Sequence, residues 1–333
     1  MAWLQFVVCL VAILAAGTRL ARYADIIAEK SGLGRIWIGL ALVGVITAMP
    51  EMATGVSAVA LVDSPDLAIG TLIGSCCFNL SLVAVLDWVN RRRPVLSQVS
   101  SRHLPGVRWG VILLAIAGLG LYLAPRVSLP ALAWLSLPGA LLLLVYPFAL
   151  RRILRSERRF LAEEMEEAAK YATFSLRGAS IRFFLAAFVV VAAGIWLSFI
   201  GDDIAKVTGW GTSFVGTLFL AIATSAPELV VSVSAIRLGS PDIAMADILG
   251  ANMLDTGMLG LVDLFYMKGS VFAAASQVNL VAILVAALMV ALTGFAIYRP
   301  SERLVLRGVS WYGPLLVGLY VAAAYVLFAF GAA

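Results

Sequence analysis

Long apolar runs, separated by short polar connections rich in arginine, set the pattern of this chain. Ten runs are long enough to cross a bilayer as helices: residues 1–17, 36–61, 66–89, 108–125, 130–150, 182–200, 210–236, 242–266, 271–297 and 309–331. The remaining polar sequence is too short for a separate folded domain. Its longest stretch, residues 151–181, begins with a basic cluster and carries Phe160, Met165, Ala168 and Ala172 near helical spacing, which predicts a linker helix. The expected fold class is therefore all-α and integral to a membrane, with ten transmembrane helices.

The apolar pattern also repeats. TAMPEMATGVSA at 47–58 returns as TSAPELVVSVSA at 224–235, and SPDLAIGTLIGSCCFN at 64–79 returns as SPDIAMADILGANMLD at 240–255, at offsets of 177 and 176 residues. The chain divides accordingly into a first five-span repeat, 1–150, the linker 151–181, and a second repeat, 182–333. Five is odd, so the second repeat must cross the membrane in the opposite sense to the first. Inverted repeats with carboxylates at matching depths imply a transporter with its ion site between the halves.

Composition sharpens the picture in one respect. Mean hydropathy of +1.00, with 62% hydrophobic and 13% charged residues, excludes an ordinary soluble domain. If the spans alternate, one face of the membrane holds 21 of the 24 Lys and Arg, counting loops and the span ends that adjoin them. The other face holds only Arg126, Lys206 and Lys268. The basic face is cytoplasmic, which predicts a multi-pass protein of the cell inner (plasma) membrane with both termini extracytoplasmic. The net charge of +5 is then a topology signal and gives no support to nucleic acid as a partner. No protein partner is implied either, which leaves inorganic cations and the lipid bilayer. The start MAWLQFVV lacks the basic region of a cleaved signal peptide. Cys9, Cys76 and Cys77 all fall in apolar spans and suggest no disulfide framework.

The chemistry sits in the repeated segments. Pro50 and Pro227 lack an N–H, so each should free a carbonyl four residues earlier, at Ile46 and Ala223, and loosen those of Thr47 and Thr224. Glu51 and Glu228 follow directly, with no Lys or Arg in either span to neutralise them. A mid-membrane carboxylate costs a few kcal/mol on insertion scales and is rarely idle. Two glutamates supply up to four oxygens, and carbonyls or water would raise that toward the six to eight calcium takes. Asn79 and Asp255 occupy equivalent points after the small-residue runs GSCC and GANM, which allow close helix approach. Cys76 would suit a softer metal, but one thiol does not outweigh several hard oxygens. Asp87 and Asp263 are expected as helix-end carboxylates at the interface, and His103 as a solvated side chain in a basic loop. Gly201-Asp202 lacks the upstream glycine of an intramembrane aspartyl protease, Phe199 standing in its place. No nucleophile–base constellation or phosphate loop points to an enzyme.

Segments 39–79 and 216–255 resemble the two α-repeats of the cation/calcium exchanger (CaCA) superfamily. The TSAPE form is closer to its sodium/calcium exchanger branch than to the calcium/proton branch, whose equivalent is a Gly-Asn-x-x-Glu step. The resemblance implies an antiporter with no permanently bound cofactor. It implies that Glu51 and Glu228 bind transported Ca2+ with carbonyls of Thr47 and Thr224, that hydroxyls such as Ser75 and Ser225 build sodium sites, and that Asn79 and Asp255 complete the cluster. The chain departs from the family pattern at Ala48, Ala251, Cys76, Thr71 and Asp247. Each presumed sodium site has lost one hydroxyl and an acid has been gained. Exchange of Ca2+ for Na+ is the expectation, with a divalent cation/H+ antiporter on the same scaffold as the alternative.

Overall fold

Two Ser-Pro-Asp steps start the two most enclosed helices of the protein. In the computed structural model, which describes residues 1–31, 48–91, 93–127, 130–161, 175–301, 304–306 and 309–331, the first half contains α1 (Ala2–Ser31), α2 (Met49–Ala60), α3 (Pro65–Asn90), α4 (Leu104–Leu123), a two-stranded hairpin β1–β2 (Ala131–Leu132 and Leu135–Ser136) and α5 (Leu137–Leu161). The second half contains α6 (Leu176–Thr208), α7 (Thr212–Thr224), α8 (Ala226–Arg237), α9 (Pro241–Phe265), α10 (Asn279–Tyr298), the hairpin β3–β4 (Leu304–Leu306 and Val309–Ser310) and α11 (Tyr312–Phe330). Pro65 and Pro241 take the first helical turn, where a missing N–H costs nothing. The turns before them reverse the chain through left-handed residues at matched positions, Asp63 (φ 61°) and Gly239 (φ 77°).

Among the described residues eight helices are long and apolar enough to span a membrane, and α7 with α8 makes a ninth as a pair bent by 48°. The run 210–236, expected as one kinked span, is thus a broken one. Pro227 stands in the first turn of α8 and Pro50 in the first turn of α2, so both prolines begin half-helices. Most of the expected second span, 36–47, lies outside the described residues, as does the centre of the expected linker, 162–174. Of that linker, 151–161 continues α5 and 176–181 already belongs to α6.

Helices α3 and α9 form the centre, with 83% and 72% of their apolar windows buried against 28–50% for the other long spans. They cross where equivalent residues reach each other. Asn252 Nδ2 donates to the Cys76 carbonyl at 3.1 Å, and Cys76 Sγ faces the Asn252 carbonyl at 3.5 Å. Glycine lets α7 approach α3 backbone to backbone. A Cβ on Gly74 would lie 2.5 Å from Thr217 Cα, one on Gly70 would lie 2.6 Å from the Ser213 carbonyl, and one on Gly216 would lie 2.7 Å from the Leu67 carbonyl. Small residues four apart are how membrane helices gain contact, since lipid provides no hydrophobic drive between them. Tyr320 of α11 fixes the same place by donating to the Thr217 carbonyl at 2.9 Å.

Helices α1 and α6 pack along each other and lie over the two breaks, again through glycine. A Cβ on Gly17 would lie 2.7 Å from the Pro227 ring, and one on Gly194 would lie 3.0 Å from the Pro50 carbonyl and 2.8 Å from Ala53. Gly17 and Gly194 are 177 residues apart, the offset of the repeat.

The remaining acids are structural. Asp87, fully buried, accepts from Val95 N (2.7 Å), Ser310 N (2.8 Å) and Ser310 Oγ (2.5 Å). Asp263 does the same with Val271 N (2.8 Å), Ser136 N (2.8 Å) and Ser136 Oγ (2.6 Å). Each ties the end of a central helix to the next turn and to a hairpin from the other half. The expectation of interfacial carboxylates at these positions is corrected accordingly: they are internal clamps. Asp66 and Asp242 form a second matched pair. Asp66 Oδ1 accepts from Ser276 N and Asn279 Nδ2, both at 2.7 Å, and Asp242 Oδ1 meets Ser100 N and His103 Nε2, both at 2.9 Å. His103 is therefore held on Asp242, with a side chain only 11% exposed, and is not the solvated residue its basic loop suggested.

The glycine contact has a direct test. Gly74→Ala puts a methyl into backbone that cannot yield and should cost about 1–3 kcal/mol, seen as a lowered melting temperature of the detergent-solubilised protein. Gly250→Ala, one turn before the centre of α9 with open space around it, should be neutral or gain up to about 1 kcal/mol from helix propensity. Equal behaviour of the two variants would contradict the close approach of α3 and α7.

Candidate cation site

The breaks point α2 and α8 at the α3–α9 crossing, and the sequence-predicted residues meet there. Ser225, at the break, donates its hydroxyl to Glu51 Oε1 at 3.0 Å, joining the second repeat's turn to the first repeat's glutamate. Ser75 Oγ lies 3.4 Å from Thr224 Oγ1, again across the repeats. The Thr224 hydroxyl also donates back to the Leu220 carbonyl at 3.0 Å. Glu51, Glu228, Asn79, Asp255, Ser75, Thr224 and Ser225 are all 0–1% exposed. Thr47 falls outside the described residues, and so does Ile46. Ala48 is buried at the start of α2, where its equivalent in the other repeat is Ser225.

What distinguishes these acids from the clamps is that their oxygens are unmet. Glu51 Oε2, both Glu228 oxygens, both Asp255 oxygens and both polar atoms of Asn79 have no hydrogen-bond partner among the described residues. The ion pairs found among the described residues all lie toward helix ends or in loops: Arg102 and His103 with Asp242, Lys206 with Asp202, and Lys268 with Asp63. The charges of Glu51, Asp247 and Asp255 all act on Glu228. An unpaired buried acceptor costs about 1–3 kcal/mol, and more when charged. Five such oxygens would consume most of the 5–15 kcal/mol that holds a folded protein together. The cluster therefore has to take up cations or protons. Among the described residues no three of His, Cys, Asp and Glu stand close enough to cage a metal by themselves. A cation held here would need the hydroxyls, amides and carbonyls as well, which is the hard-oxygen mixture that alkali and alkaline-earth ions take.

Helix α9 adds an acid one layer away. Asp247 is half-buried and accepts from Ser232 Oγ of α8 at 2.9 Å. Its equivalent on α3 is Thr71, whose hydroxyl merely returns to the Leu67 carbonyl at 2.7 Å. Cys76 faces Asn252 and, at 3.7 Å, Thr256 Oγ1, so its sulfur is engaged in the helix crossing.

The arrangement has close counterparts among known proteins. A family model described as sodium/calcium exchanger protein matches residues 1–154 and 179–331, nearly the entire chain. This chain belongs to the sodium/calcium exchanger family. It is accordingly a membrane transporter of the antiport class and not an enzyme. The inner membrane protein YrbG of Escherichia coli (strain K12) is 25% identical over 252 residues, 75% of each chain. The sodium/calcium exchanger MaX1 of Methanosarcina acetivorans is 35% identical over 129 residues, 37% of this chain and 33% of that one. The solved structure of the sodium-calcium exchanger NCX_Mj shares the fold, with a TM-score of 0.60 over 97% of both chains at 20% identity.

Sequence reasoning singled out the members of this exchanger's buried cluster but missed the Asp66 and Asp242 contacts, although both aspartates stand in the repeated Ser-Pro-Asp step. Their partners, Ser276, Asn279, Ser100 and His103, lie in segments without obvious similarity. Nothing in the local pattern marked them.

Proposed function

We propose that this protein is a secondary active antiporter of the inner membrane that exchanges a divalent cation, Ca2+, for Na+ by alternating access. The observation that carries the reading is the cross-repeat contact of Ser225 with Glu51, beside five carboxylate oxygens that no donor satisfies. In this reading Glu51 and Glu228 chelate the divalent ion with the Thr47 and Thr224 carbonyls, Ser75 and Ser225 contribute hydroxyls to the sodium sites, and Asn79 and Asp255 close the centre. The scaffold is ten spans in two inverted repeats, 1–150 and 182–333, joined through 151–181. The matched clamps of Asp87 with Asp263 and of Asp66 with Asp242 support that symmetry. Alternating access is a slide of α1 and α6 over the breaks, for which side-chain-free contacts at Gly17 and Gly194 are suited. The Methanosarcina relative's name supports calcium and sodium as the exchanged ions.

A specific observation favours protons as the counter-ion instead. Ala48 and Ala251 supply no oxygen where their equivalents, Ser225 and Ser75, do, while Asp247 adds a carboxylate that can carry a proton. The two readings separate in proteoliposomes. Calcium flux that follows an imposed sodium gradient, and that strengthens in the Ala48→Ser/Ala251→Ser double variant, is the expected result. Flux that follows a pH gradient and ignores sodium would replace sodium by protons.

The paired glutamates are tested by Glu51→Gln and Glu228→Gln. Each keeps the shape of the side chain but removes one of two chelating charges, a loss of about 3–5 kcal/mol when a buried ionic partner goes. Divalent flux should fall at least about a hundredfold while the folded protein is still recovered, and near-normal flux in either variant would remove the site. Orientation is tested by Met165→Cys. An impermeant maleimide added to intact cells should leave position 165 unlabelled, and labelling without membrane disruption would reverse the topology.

A further inference from the structure

One feature of the α1–α6 pair plays no part in ion binding. On the side of α1 turned away from Pro227, Ala12, Ala15, Ala16, Arg19 and Tyr23 recur at helical spacing. On α6 the facing stripe is Arg182, Leu185, Ala186 and Val189. Together they line an open groove of about 360 Å3, within the size range of small-ligand sites. Alanines make its floor, and Leu185 and Val189 are exposed on its wall. The polar groups gather at one end. Arg19 and Arg182 are both exposed, and neither enters an ion pair among the described residues. Arg19 donates only to the Ala15 carbonyl of its own helix, at 3.2 Å.

The depth of these residues matters. Arg19 closes the apolar stretch of α1, whose spanning part is Ala2–Leu20, and Arg182 immediately precedes the apolar run of α6 that begins at Phe183. Both guanidiniums therefore stand at the boundary between hydrocarbon and headgroups, with the alanine floor running from them into the bilayer. The other end of the same helix pair serves as an internal control. At the repeat offset of 177 residues, Arg19 corresponds to Trp196 and Arg182 to Gln5, so the equivalent groove end is uncharged. Charge complementarity thus selects one ligand chemistry at one membrane face: an anionic headgroup joined to an apolar tail.

We propose that this groove binds an anionic phospholipid, its phosphate held between Arg19 and Arg182 with the Tyr23 hydroxyl in reach, and one acyl chain along the alanine floor. Arginine is suited to this because its planar fork matches phosphate oxygens two at a time. A basic pocket between membrane helices on the arginine-rich face is where such headgroups are expected. Because α1 and α6 also cover the two breaks, a lipid seated between them would stiffen the pair that has to move.

Native mass spectrometry of the whole protein in detergent, titrated with phosphatidylglycerol or with phosphatidylcholine of the same acyl chains, tests this. Retention of phosphatidylglycerol in preference to phosphatidylcholine is expected. Each arginine contributes about fivefold in affinity, so Arg19→Ala/Arg182→Ala should lose about twentyfold or more and abolish the preference. Arg151→Ala/Arg152→Ala, which removes two exposed basic residues of α5 outside the groove, should stay within about twofold of the parent. Arg19→Lys/Arg182→Lys should retain part of the preference and guards against a folding defect in the alanine variant. Equal loss in the α5 control would mean non-specific attraction to a basic surface and would overturn the site. Unchanged binding in Arg19→Ala/Arg182→Ala, or displacement of the lipid by inorganic phosphate alone, would overturn it as well.

Discussion

Backbone must meet backbone inside a bilayer wherever a helix is broken, and this protein achieves that with glycine. No water is at hand in hydrocarbon to satisfy the ends of α7 and α8, so a break is tolerated only when other helices enclose it. Gly70, Gly74 and Gly216 let α3 and α7 touch without side chains between them, and Gly17 and Gly194 let α1 and α6 lie on the breaks from outside. Every other feature of the centre follows from this enclosure. Ser225 can reach Glu51 because the turn that carries it is pressed against the other repeat, and Ser75 meets Thr224 because the residue before it on α3 is glycine.

The same enclosure sorts the buried carboxylates into two kinds. Asp87 and Asp263 each accept three hydrogen bonds from backbone and serine donors, so their charge is solvated by protein and does mechanical service. Glu51, Glu228 and Asp255 are equally buried but keep five oxygens with no donor. Burial alone would not separate these groups. Counting donors does, and it leaves open only those acids that sit at the crossing of α3 with α9 and at the two breaks. A protein that clamps its helices with satisfied aspartates can tolerate unsatisfied ones where ions are to bind, because the clamps hold the helices in register at both ends of the central pair.

Much of this was legible before any coordinates, for a definite reason. Duplication writes each functional position twice, so Pro50 with Pro227 and Glu51 with Glu228 stand out from apolar surroundings that would otherwise hide them. The expected clustering of Asn79, Asp255, Ser75 and Ser225 with the glutamates followed from the same matching. What could not be read was long-range pairing. Whether Asp87 faces headgroups or accepts from Ser310, 223 residues away, depends on where a hairpin returns, and hairpins of two or three residues leave almost no hydrophobic signature. His103 was misjudged for the same reason, since its partner Asp242 arrives from the other half of the chain. The break at Ser225 was half legible: proline marked the place, but only packing determines whether a helix bends or stops.

The departures from symmetry carry the remaining information. Cys76 and Asn252 reach each other's carbonyls, so the two halves meet there as near equals. Away from that point the halves diverge in a consistent direction. Helix α9 has Asp247 and Asp255 where α3 has Thr71 and Asn79, and α3 has Ser75 where α9 has Ala251. Charge has accumulated on one central helix and neutral ligands on the other. If Glu51, Glu228, Asp247 and Asp255 were all ionised, the cluster would carry four negative charges, and one divalent ion would neutralise two. The other two have to be met by sodium or by protons in every state of the cycle, since charges left uncompensated at this depth cost several kcal/mol each. The identity of the coupling ion is therefore an electrostatic property of α9, set by how Asp247 and Asp255 are neutralised once a divalent ion occupies the glutamates.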